Sequence, residues 1–130
     1  MGSTLDILTA SDPAGDEERI PMTWLFLVAY FVGGFFLTNA IPHFVSGMMG
    51  QPFQSPFGKP PGKGLSSSTV NVLWGFFNAV VGYLLLARVG NFDLRSNSDA
   101  LALAVAILLR SVLAARRYGQ FHGGNAPEQS

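Results

Sequence analysis

Three apolar stretches, each close to the length that crosses a bilayer, constrain this chain more than anything else in it. They are spans 22–41, 69–87 and 99–117. At 1.5 Å rise per residue, about 20 apolar residues in a helix cover the ~30 Å hydrocarbon layer. The first two spans contain no charged residue, and the third holds Arg110 between Asp99 and Arg116. Their apolar runs are unbroken, whereas a membrane β-barrel would alternate every second residue. The expected fold is therefore all-α and membrane-integral. Three transmembrane helices are joined by an ordered Pro/Gly/Phe-rich loop between the first and second.

Composition supports that choice. Charged residues make up 12% of the 130, about half the share in a soluble domain. The net charge is zero, so no electrostatic footprint for nucleic acid exists. The chain has no cysteine, which removes disulfides, thiolate chemistry and Cys-ligated metals. Residues 1–21 form an acidic tail with Asp6, Asp12, Asp16, Glu17 and Glu18 against Arg19. A secretory signal starts basic, so targeting is expected to come from the first span. Ser66 to Thr69 offers N-caps for the second helix, and Asp99 offers one for the third. A Gly90-Asn91 turn helps join these two helices, and residues 118–130 are expected to be irregular.

Three spans place Arg19, Arg88 and Arg95 on one side, and Lys59, Lys63, Arg116 and Arg117 on the other. The positive-inside rule then puts the N-tail outside, with the loop and C-tail in the cytoplasm.

Asn71, Gly75, Asn78 and Gly82 follow steps of four, three and four and fall on one face of the second helix. Small residues and amides on one stripe suit a packing seam, matched by Gly33, Gly34 and Thr38 on the first span. A polar pocket or solute path would use the same residues, and an oligomer could line a pore with Asn71 or Asn78.

Arg110 shares a helix face with Leu103, Ala114 and Arg117. A lone cation in a span costs roughly 2.5–3.5 kcal/mol unless it snorkels or finds a partner. Apart from Asp99 at the edge of the third, no carboxylate lies within the apolar spans, so its partners are amides, backbone carbonyls, lipid phosphate or water. The bland expectation is snorkelling. The functional one is an anionic head-group contact shared with Arg116 and Arg117.

His43 follows Pro42 at the expected end of the first helix, and His122 follows the third. Both fall on the loop side. Two histidines without a nearby carboxylate make a poor metal centre, and hydrogen bonding to the loop is the commoner role. No cofactor is expected. The loop, residues 43–68, holds Pro52, Pro56, Pro60 and Pro61 with Phe53 and Phe57. Proline excludes regular helix there, and the phenylalanines point to a loop docked as a cap, or acting as a lid.

The runs Asn39-Ala-Ile-Pro-His-Phe, Pro52-Phe-Gln-Ser-Pro-Phe-Gly-Lys-Pro and Asn71-Val-Leu-Trp-Gly-Phe-Phe-Asn resemble a group of short bacterial multi-pass membrane proteins of unknown function. The resemblance covers residues 38–78 and extends to 119–125. It implies a bacterial inner-membrane protein and supplies no activity.

Walker, His-Glu-x-x-His and Gly-x-Ser-x-Gly patterns are missing. Three classes stay open. The favoured one is a non-enzymatic protein binding a lipid, a small ligand or a partner complex. The others are an oligomeric channel or transporter, and a haem- or metal-dependent oxidoreductase using His43 and His122. Ligand candidates are His43, His122, Asn39, Asn71, Asn78, Arg110, Phe53 and Phe57. Expected partners are the bilayer, anionic lipid head groups, and a second copy or a membrane complex.

Overall fold

Long runs of helix-compatible apolar residues, stopped by glycines able to take positive φ, give three long helices and one small hairpin. The computed structural model describes residues 13–125; the remainder of the acidic tail and residues 126–130 lie outside it. In order come α1 (Pro13–Met48), β1 (Phe53–Gln54), β2 (Leu65–Ser66), α2 (Ser68–Ala87) and α3 (Asn97–His122). All three helices are long and apolar enough to cross a membrane.

Four expected boundaries move, the first being the start of α1, which begins at Pro13 inside the expected acidic tail of residues 1–21. Helix α1 continues past Pro42 to Met48, so His43 is helical and the loop is shorter than 43–68. Pro42 removes one hydrogen bond of the helical ladder. Packing outweighs that loss: a Cβ on Gly75 would lie 2.6 Å from the Phe44 nitrogen, and one on Gly47 2.5 Å from the Ser68 carbonyl. The helix stops at Gly50, whose φ of +72° breaks the ladder. At the other end of the chain, residues 118–122 are the last turn of α3, and Gly123 ends it with φ +77°. Finally, α3 is capped by Ser96, which accepts from the Asp99 nitrogen, so Asp99 lies in the first turn. Helix α2 takes Ser67 as its cap, and Gly90 makes the expected turn with φ +64°.

Helices α2 and α3 both pack on α1 and scarcely on each other. The four stripe residues of α2 are its buried ones. Gly82 meets Gly33 and Leu37 of α1, and Gly75 meets Phe44. Gly34 does not join that seam as expected. It faces Leu103 and Ala106 of α3. Thr38 turns its hydroxyl back to the Gly34 carbonyl at 2.8 Å. The glycines thus let α1 approach two helices at once.

The interior is more polar than the exterior. The largest fully buried side chains are His43, Asn71, Asn78 and Ser55, while Leu73 and Leu108 are 64% and 67% exposed. Water would reject such an outer surface.

Candidate functional site

Both ends of the loop, the last turns of α1 and α3 and the start of α2 meet at one end of the bundle. The loop is held by β1 and β2, antiparallel with Phe53 opposite Ser66 and Gln54 opposite Leu65. Sequence reading missed these strands, which are only two residues each. Ser55 organises the turn inside them. Its Oγ accepts from the Phe57 nitrogen at 3.0 Å and from Ser66 Oγ at 2.6 Å, and its carbonyl accepts from the Gly62 nitrogen at 2.8 Å. The proline-rich segment is therefore an ordered cap.

Asn71 is the hub. Its Nδ2 faces the carbonyls of Phe53, Ser66 and Ser67 and the hydroxyl of Ser66, all at 3.0–3.1 Å. That fixes the amide orientation and aims Oδ1 at His43 Nδ1, 2.9 Å away. An amide oxygen only accepts, so His43 carries its proton on Nδ1. In the neutral ring, Nε2 then accepts from the Tyr118 hydroxyl at 3.3 Å. Both nitrogens of His43 are thereby engaged. Tyr118 was not among the sequence candidates; eight residues after Arg110, it lies about 80° round the helix from it.

His122 Nε2 pairs with Gln54 Oε1 at 2.9 Å and stacks on Phe53 at 5.3 Å between ring centroids. Phe53 also meets the His43 ring edge-on at 5.4 Å. One aromatic ring thus contacts both imidazoles, and the two histidines join the loop to α1 and α3. Among the described residues, no three His, Cys, Asp or Glu side chains come together. His43 is held by Asn71 and Tyr118, and His122 by Gln54.

A second polar layer lies deeper. An Arg110 Nη2 donates to Asn39 Oδ1, Asn39 Nδ2 to Asn78 Oδ1 at 2.9 Å, and Asn78 Nδ2 to the Trp74 carbonyl at 2.7 Å. The guanidinium also lies over the Phe35 ring, 5.6 Å from its centroid. The snorkelling expectation is corrected: Arg110 turns inward, because Asn39 supplies the acceptor that carboxylates do not, and Asn78 in turn holds Asn39. Asn71 and Asn78 are 0% and 1% exposed, so neither presents itself to a pore between copies.

Between α2 and α3, floored by α1, runs an open groove of about 810 Å³. Phe35, Phe36, Trp74 and Leu113 supply its apolar wall, and Arg110, Arg116, Arg117 and Gln120 its polar one. Arg117 also donates to the Gly62 carbonyl at 3.1 Å, tying the groove's mouth to the loop. Phe57 departs from expectation. It is 61% exposed, its ring set edge-on to Trp74 at 5.3 Å. The structure thus joins Asn39, Asn78 and Arg110 in the groove, and His43, Asn71, His122 and Phe53 in the cap. Trp74 and Gln120 were missed, since nothing periodic marks them.

The chain matches no protein-family model, no curated protein and no solved structure. The motif resemblance therefore rests on its residues alone.

Proposed function

We propose that this is a three-span protein of a bacterial inner membrane that binds an anionic lipid in the groove between α2 and α3 and carries out no chemistry there. The observation that carries the reading is the groove's polarity along its length. Aromatic and leucine side chains line it, the one cation among them (Arg110) is satisfied by Asn39, and Arg116, Arg117 and Gln120 gather near the α3 C-terminus, where Arg117 meets the loop. An acyl chain fits the first part and a phosphate the second. The outward-facing leucines and phenylalanines favour membrane insertion. The basic residues of the loop and α3 favour a cytoplasmic loop and an external N-tail.

Delipidated protein in detergent should hold phosphatidylglycerol more tightly than phosphatidylcholine. Each basic residue near the head group contributes about 1 kcal/mol, so R116Q/R117Q should lose roughly thirty-fold in affinity for the anionic lipid. Titration followed by native mass spectrometry reads this directly. Equal binding of both lipids by the wild type would end the proposal. Orientation is checked separately: reporters fused before Met22 and after Ser130 should lie on opposite sides, cytoplasmic only for the latter. The reverse pattern would invert the topology.

A further inference from the structure

A second groove lies on the other side of Trp74. It measures about 530 Å³ and is lined by Phe57, Val70, Leu73, Trp74 and Phe77, with almost no polar surface. Val70, Leu73, Trp74 and Phe77 follow helical steps of three, one and three. The groove therefore runs along α2 for on the order of 10 Å. The arginine-mouthed groove uses Trp74 and Asn78 of the same helix. The two clefts overlap in height along α2 and both are lined by Trp74, with Asn78 to one side of it on the helix and Val70, Leu73 and Phe77 to the other. Trp74 is stacked on Phe77 at 5.6 Å and met edge-on by Phe57 from the loop, so the indole is braced on the second groove's side.

We infer that the two clefts together seat one diacyl anionic phospholipid, with one chain on each side of Trp74. This rests on the anionic-lipid reading and adds the number of chains. Two chains leave one glycerol unit side by side and lie along the bilayer normal, which is the relation the two grooves have along α2. The basic mouth belongs to one groove only, so a single phosphate serves both chains. Phe57 of the loop lines the other cleft beside Trp74, so its ring supplies part of the surface on which a second chain packs. Phe57 belongs to the ordered cap yet is largely exposed, so its side chain can be changed without opening the interior.

The test compares dioleoyl phosphatidylglycerol, its single-chain lyso form and dioleoyl phosphatidylcholine, titrated onto delipidated full-length protein in one detergent. The wild type should prefer the two-chain anionic lipid to its lyso form by on the order of ten-fold, the worth of about two methylenes more buried in the cleft than in the micelle. F57A should erase that preference while leaving lyso affinity unchanged, and F57L should restore part of it. An unchanged melting temperature confirms that F57A is folded. Equal affinity for the two anionic lipids, or an equal loss of both in F57A, overturns the two-chain seat even if phosphatidylglycerol still beats phosphatidylcholine. Chain-number preference that F57A erases, without any preference for negative charge, supports the seat and overturns the anionic reading.

Discussion

Asn71→Ala is expected to destabilise the protein by about 3 kcal/mol, since it removes one fully buried amide and strands several partners at once. The carbonyls of Phe53, Ser66 and Ser67 lose their shared donor, and His43 Nδ1–H loses its acceptor. Asn71→Asp is the sharper companion. It keeps the oxygen facing His43 but sets a carboxylate oxygen against three carbonyls, so it should cost at least as much. Thermal unfolding in detergent measures both, and limited proteolysis within residues 49–67 measures loop release. The loop should become cleavable below the temperature at which the helices melt. Variants that melt with the wild type and keep the loop protected would show that Asn71 is not what holds the cap.

That dependence explains which parts of the molecule were readable beforehand. Helix α2 was legible because periodicity, uncharged length and serine caps all agree there. Its four stripe residues are its four buried ones. The end of α1 was misplaced because Pro42 is a local signal, while the packing that overrides it comes from Gly75 and Ser68, more than 25 residues away. The end of α3 was misplaced for a related reason. Gly119 looks like a helix breaker, yet it is a close-contact position beneath the Asn125 side chain, and Gly123 does the breaking. The convergence of His43, His122 and the loop followed from counting spans. The Gln54–His122 and Tyr118–His43 pairs did not, because single long-range contacts leave no pattern in a sequence.

The inward turn of Arg110 makes an asymmetric prediction about two side chains that touch. Asn39→Ala should destabilise by about 3 kcal/mol, because it leaves a guanidinium among apolar groups with only the Phe35 ring as counterpart. The same change takes the donor away from Asn78 Oδ1. Arg110→Met should cost about 1 kcal/mol, since it removes the charge itself and leaves only the Asn39 oxygen unpaired. The double variant should then be more stable than Asn39→Ala alone, with a coupling of about 2 kcal/mol in a thermodynamic cycle. A snorkelling arginine would give the opposite pattern: Asn39→Ala would be nearly silent and the coupling would vanish. The same variants divide structure from binding. Arg110→Met should remain folded yet hold phosphatidylglycerol less tightly, because the guanidinium that satisfies Asn39 also lines the groove and adds positive potential about 10 Å from the Arg117 that meets the head group. If it keeps full affinity, the head group is held by Arg116 and Arg117 alone, and Arg110 is a structural cation joining α3 to α1.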